Sequence, residues 1–137
     1  RSELKEGDSL VTIVGYVGNT CLVPADVLPA NINQNIALVR ANPNYLNSDY
    51  LHLFLTTEGR KQLQNIITTQ AQPSVSLKQV GELHIPIPKI EEQYKINKVI
   101  NSITKLIENL DKKIRKKEIL KKGLSSDLLS GFKRVNI

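Results

Sequence analysis

Residues 83–122 read LHIPIPKIEEQYKINKVINSITKLIENLDKKIRKKEILKK, and two regimes meet inside this stretch. Leu83, Ile85 and Ile87 alternate along one face, while Pro86 and Pro88 remove ladder donors. Residues 83–88 are therefore an edge strand or an extended connector. From Lys89 to Lys122 there is neither glycine nor proline. Glu91 and Glu92 fall in the first turn, where the helix dipole favours anions, and Lys121 and Lys122 fall in the last, before Gly123. This predicts one helix of about 50 Å at about 1.5 Å per residue. Ile96, Val99, Ile103, Leu106 and Leu110 recur at spacings of three and four, a heptad seam, and Ile100, Ile107 and Ile114 add an adjacent row. Lys113 and Lys117 then take the next seam positions. The result is a broad stripe over about three heptads, which must be buried against at least one other helix. Leu124 to Leu129 reads as a separate short helix ending at Gly131.

Upstream the punctuation changes. Leu10 to Val14 is a short β-branched run between Gly7-Asp8 and Gly15. Gly15 and Gly18 mark a tight, exposed turn or a bulge. Leu22 and Val23 begin a strand that Pro24 limits. Asn35 to Arg40 is the clearest strand, and its run of apolar residues predicts burial on both faces. Ser48 or Asn47 can cap a helix carrying Tyr50, Leu51, Phe54 and Leu55. Thr57 to Ile67 continues as a second helix after a break at Thr56-Thr57, and residues 68–76 read as a polar loop. The expected fold class is α/β (α+β). Short strands and helices over residues 1–88 are followed by a coiled-coil-type helix at 89–122 and a short helical tail at 123–137.

The 137 residues suit one domain plus the long helix, and the net charge of +6 is unevenly placed. Residues 1–88 hold six basic and seven acidic residues, whereas residues 89–137 hold thirteen basic and six acidic ones. The basic surplus is compatible with nucleic acid, an acidic protein or a membrane surface, and equally with a solvated helix face. No apolar run approaches the roughly 18 residues a membrane span needs. No signal peptide opens the chain, so the cytosol is the expected compartment. Cys21 is the one cysteine. It cannot form an internal disulfide, a Cys₄ or Cys₂His₂ zinc site is excluded, and it reads as a small buried hydrophobe.

Catalytic chemistry finds little support. His52 and His84 have no serine, cysteine or carboxylate at a recognisable catalytic spacing. Gly15-x-x-Gly18 lacks the glycines and lysine of a phosphate loop. Asp8, Asp26 and Asp49 are isolated, which argues against a metal cluster. Binding fares better. The Gly15–Thr20 loop, Asn33-Gln34-Asn35 with Arg40, and the Thr68–Ser76 loop with Gln70, Gln72 and Ser74 carry groups suited to DNA. Asn and Gln can bond adenine bidentately, Arg can bond guanine, and Ser and Thr serve phosphates.

The order of these signals resembles a known family. Gly-Asp precedes a strand, followed by Gly15-x-x-Gly18, Asn33-Gln34-x-Ile36-Ala37, and a helix ending at Thr56-Thr57-x-Gly59. Then come Ala71-Gln72-Pro73, Leu83-x-Ile85-Pro86-Ile87-Pro88, Glu92-Gln93 and a Leu128-Leu129-x-Gly131 tail. Together they are similar to the specificity (S) subunit of type I restriction-modification systems, with Lys89 where the family often has a second proline. The resemblance implies a target recognition domain, here its C-terminal part, followed by a spacer helix. It implies a non-catalytic prokaryotic cytoplasmic protein that directs methyltransferase (M) and motor-nuclease (R) subunits to a bipartite site on double-stranded DNA. S-adenosylmethionine and ATP would bind those partners, and this chain would need no cofactor. Gly15 and Gly18 would shape a DNA-facing loop, with Asn19, Thr20, Arg40, Gln70, Gln72 and Ser74 as contacts. Ile96, Val99, Ile103, Leu106, Leu110 and Ile114 would pair with a second helix, from a second copy if the chain is half-length. Rival readings are the recognition tail of a single-chain restriction-methyltransferase and a coiled-coil interaction protein without DNA specificity.

Overall fold

The computed structural model describes residues 3–67 and 73–135. It divides into two units, Arg1–Asn97 and Lys98–Ile137.

The first unit is built on a three-stranded antiparallel sheet of order β2-β1-β3. Its strands are β1 (Ser9–Thr12), β2 (Thr20–Leu22) and β3 (Ile36–Val39). Leu10 stands opposite both Cys21 and Leu38, and Ser9 opposite both Leu22 and Val39. The period of two sends Ser9, Val11, Ala37 and Val39 inward and Leu10, Thr12, Ile36 and Leu38 to the other face. The inward set meets a core of Ile13, Val17, Leu51, Phe54, Leu55, Leu63 and Val80. The expectation that β3 is buried on both faces is corrected here. Ile36 and Leu38 are only half-buried, because helices cover one side of the sheet. Cys21 is exposed rather than buried, since it lies on that outward face of an edge strand.

Three helical segments follow one another without interruption: α1 (Ser48–Phe54), a π-helical turn (Leu55–Gly59) and α2 (Arg60–Ile66). Asn47 caps the run, its side chain accepting from the Tyr50 N–H at 3.0 Å. The break expected at Thr56-Thr57 is a widened turn instead. Both threonine hydroxyls donate back to carbonyls four residues earlier, those of His52 and Leu53, which satisfies acceptors that the wider turn would strand. Gly59 lets that turn close, since a Cβ there would lie 3.1 Å from the Phe54 ring and 3.2 Å from its carbonyl oxygen.

A third helix, α3 (Leu77–Gly81), lies just beyond the polar loop and carried no expectation from the sequence. It opens on a capping box in which Ser76 accepts from the Gln79 N–H and Gln79 accepts from the Ser76 N–H. Residues 83–88 are an extended connector. The side chain of Gln62 takes the place of a neighbouring strand, donating to the His84 carbonyl at 3.0 Å and accepting from the His84 N–H at 2.9 Å. The long helix α4 runs from Ile90 to Leu129, 40 residues or about 60 Å. Its first two turns belong to the first unit, where Gln93 and Asn97 are buried.

In the second unit α4 passes straight through Gly123, so the stop expected there and the separate helix at 124–129 are corrected. A glycine costs a helix interior only about 1 kcal/mol, and its nearest neighbours Leu120, Lys121, Lys122 and Leu124 are strong helix formers. The chain turns off at Gly131, whose φ of +77° suits glycine. There Lys133 donates its N–H to the Asp127 carbonyl at 3.0 Å and its ammonium to the Asp127 carboxylate at 2.8 Å. Among the described residues no helix is long and apolar enough to cross a membrane.

Candidate nucleic-acid interface

The β1–β2 connection is held on three sides. Thr12 closes its base. The Thr12 N–H donates to the Asn19 carbonyl and the Gly18 N–H to the Thr12 carbonyl, both at 2.9 Å. The Thr12 hydroxyl donates to the Tyr16 carbonyl and accepts from the Asn19 N–H. On the second side the Gly15 N–H donates to the Pro73 carbonyl and the Val75 N–H to the Ile13 carbonyl, again at 2.9 Å, and Val14 bridges Ser74. On the third, the hydroxyls of Thr20 and Thr56 are 2.9 Å apart, which joins the loop to the π-helical turn. Gly15 and Gly18 have φ of +77° and +84°, so the turn requires glycine at both. Gly18 has a further reason, because a Cβ there would sit 3.0 Å from Arg60 Cγ.

Five of the residues expected to touch DNA therefore gather in one place: Gly15, Gly18, Asn19, Thr20 and Ser74. Gln70 and Gln72 lie outside the described residues. Arg40 is elsewhere. It follows Val39, which pairs with Ser9, whereas the loop leaves the sheet beyond Thr12. Its guanidinium is engaged by Asp8, with Nε and Nη2 donating at 2.6 and 2.7 Å and Nη2 also donating to the Glu3 carbonyl. That fork, with the Lys5 N–H on the same carboxylate, holds the Asp8 carboxyl below the usual carboxylate range despite its burial. Arg40 thus ties down one end of the sheet.

Three neighbours of the loop were not read from the sequence. Tyr16 stands at its tip with 84% of its surface exposed. Thr56 and Arg60 come from the helical run beneath it. The aromatic between two glycines was a readable signal, but nothing local announced Thr56 or Arg60. Beside the loop, Leu10, Thr12, Asn19, Thr20, Cys21 and Ile36 line a shallow hollow of about 190 Å³ on the outward sheet face. His52 is half-buried, and burial pushes its imidazole below the ordinary value. His84 is exposed. Among the described residues no group of three or more His, Cys, Asp or Glu side chains is placed to hold a metal ion.

A second arrangement anchors the start of α4. Gln93 is fully buried and makes three hydrogen bonds. Its amide nitrogen donates to the carbonyls of Tyr45 and Pro88, and its oxygen accepts from the Asn47 N–H. Asn97 donates to the Asn47 side chain, the same oxygen that caps α1. Ile96 packs against the core, so the first residue of the expected pairing seam is already occupied. The others are open: Val99, Ile103, Leu106, Leu110 and Ile114 are between 48 and 60% exposed.

Comparison with known proteins bears directly on this arrangement. The profile of the type I restriction modification DNA specificity domain matches residues 2–120. The chain belongs to that family. It is 28% identical over 117 residues to the type I restriction enzyme EcoBI specificity subunit of Escherichia coli, covering 83% of this chain and 24% of that one. It is 32% identical over 98 residues to the putative type I restriction enzyme MjaX specificity subunit of Methanocaldococcus jannaschii, covering 70% and 23%. The chain thus spans about a quarter of the curated relatives it matches. Its fold is similar to that of the HsdS subunit from Thermoanaerobacter tengcongensis, with a TM-score of 0.69 at 20% identity over 79% of this chain and 28% of that one. A chain from a structural study of assembly and conformational transition in the type I R-M system gives 0.68 at 22% identity, over 88% and 31%. As a specificity-domain chain, this protein gives the Glu92-Gln93 pair a physical meaning. Glu92 is exposed in the first turn of α4, while Gln93 fastens that turn to the rest of the first unit.

Proposed function

We propose that this chain reads part of the base sequence of double-stranded DNA within a type I specificity subunit, and that it catalyses no step itself. The supporting observation is the Gly15–Thr20 loop, held on three sides with Asn19, Thr20 and Ser74 gathered around it. A rigid loop of hydrogen-bonding side chains on a packed sheet suits base and phosphate contact, because little order is lost on binding. Gln70 and Gln72 belong to the segment that leads into Pro73 and add amide groups to the same reading. Methyl transfer and cleavage belong to the methyltransferase and motor-nuclease subunits, which bind S-adenosylmethionine and ATP. The chain's own part is recognition and placement.

In this reading α4 is the spacer. Its open apolar stripe packs antiparallel against an equivalent helix, from the same subunit or a second copy. A helix of 40 residues is about 60 Å long, against about 34–36 Å for one turn of DNA. Two recognition units held apart by such a pair read half-sites separated by about 1.7 turns, with an unread middle. The test is deletion of residues 103–109 in the reconstituted complex, followed by mapping of the modified site. The gap should shorten or modification should vanish, with each half-site sequence unchanged. An unchanged gap with full modification overturns the spacer role.

A further inference from the structure

The charge of the recognition unit poses a problem that its ion pairs sharpen. Residues 1–88 are net acidic by one charge, a poor surface for a polyanion. Three of the five described cations there are also paired. Arg40 is bound to Asp8, Lys61 to Glu58 at 2.7 Å, and Lys78 faces Glu82 at 3.8 Å. Among the described residues of this stretch, Lys5 and Arg60 are the cations without an acidic partner, and Arg60 is the one that lies against the glycine loop. Its stem crosses Gly18 so closely that a Cβ there would lie 3.0 Å from Arg60 Cγ and crowd it. Two residues away Tyr16 holds an aromatic ring in solvent, on a turn fixed by its own carbonyl and by the flanking Gly15 N–H. An exposed ring adds nothing to packing, yet here it sits on backbone ordered before any partner arrives.

We propose that Tyr16 and Arg60 form one preassembled DNA contact, the Tyr16 ring meeting base edges at the loop tip and the Arg60 guanidinium meeting the adjacent phosphate. The pairing follows the division of labour at such surfaces: cations on phosphates give affinity without sequence preference, and groups reaching the groove give preference. Gly18 serves both halves, by its left-handed backbone and by the space it leaves for Arg60. The assignment rests on the DNA-recognition reading above, and the experiment separates the two.

The intact specificity subunit, assembled with its methyltransferase subunits, first selects from a pool of randomised duplexes. Binding of the selected duplex and a scrambled one is then measured across a salt series. Arg60→Ala should weaken both duplexes alike, by about tenfold at low salt, and reduce the log–log salt slope by about one. Arg60→Lys should keep most of the slope, and Lys61→Ala should leave it unchanged. Tyr16→Ala should weaken the selected duplex about tenfold and leave the scrambled one as it was, with the preference relaxed at one position. A wild-type complex that selects no sequence overturns the recognition reading and this assignment with it. A selective wild type whose slope survives Arg60→Ala and whose preference survives Tyr16→Ala overturns this assignment alone.

Discussion

Replacing Gln93 by alanine should loosen the start of α4 from the rest of the first unit. The side chain is fully buried. Its three hydrogen bonds, to the Tyr45 and Pro88 carbonyls and from the Asn47 N–H, measure 2.8–2.9 Å. All three partners are backbone groups, two just before α1 and one at the end of the connector, and removal of the amide leaves them without a replacement. At about 0.5–1.5 kcal/mol for each bond the loss is about 3 kcal/mol, before any cavity term. For a unit of this size, about 4–8 °C per kcal/mol puts the fall in unfolding midpoint at about 12–24 °C. Gln93→Glu should do no better, since it keeps the acceptor for Asn47 but turns a carboxylate toward two carbonyl oxygens. Glu92→Gln is the control. Glu92 is exposed, and its replacement should stay within about 0.5 kcal/mol. Near-ultraviolet circular dichroism follows the buried Tyr50 and so reports the first unit rather than the long helix. Hydrogen exchange at the Asn47 amide should accelerate in Gln93→Ala. A loss under about 1 kcal/mol, or an equal loss in Glu92→Gln, would refute the account of how α4 is fastened.

Two further outcomes follow from other parts of the molecule. Asp8→Asn should cost about 2 kcal/mol at neutral pH, because it removes the charge that Arg40 and the Lys5 N–H both address. Since the folded carboxyl is held below its ordinary range, its stabilisation is complete above the unfolded value of about 4 and lost as pH falls through the folded one. Urea titrations from pH 7 downward should show that acid limb in wild type and a flatter curve in the variant, and parallel curves would contradict the pairing. Ile103→Lys with Leu110→Lys should abolish association through α4, since both positions lie in the open stripe and a lysine there would be buried unpaired. Light scattering at micromolar concentration should find wild type paired and the double variant monomeric, and a monomeric wild type with α4 intact would sink the pairing.

What could be read in the chain follows from how far apart the interacting groups are. The long helix was legible because its evidence is local: the absence of Gly and Pro from Lys89 to Lys122, acids at one end and a spacing of three and four between apolar residues. The glycine turn was legible because only its own backbone demands Gly15 and Gly18. Helix α3 was legible in principle too, since Ser76 and Gln79 form a capping box three residues apart, but the polar stretch before it masked the signal. Gly123 misled because a stop signal is a preference of about 1 kcal/mol, overruled by the helix formers around it. The surroundings of the candidate site were harder to read. Arg40 looked free for a base, and Asp8, 32 positions away, had claimed it. Thr20 found Thr56 at a separation of 36, and Gln93 found Asn47 at 46. Periodicity and propensity carry no information about such pairings, because the fold must exist before the two groups meet. Arg60 shows the consequence. Nothing in Gly59-Arg60-Lys61 marks it as different from Lys61, and both are exposed cations on one helix. Only the folded chain separates them, giving Lys61 to Glu58 and laying Arg60 across the glycine that the loop required for its own reasons.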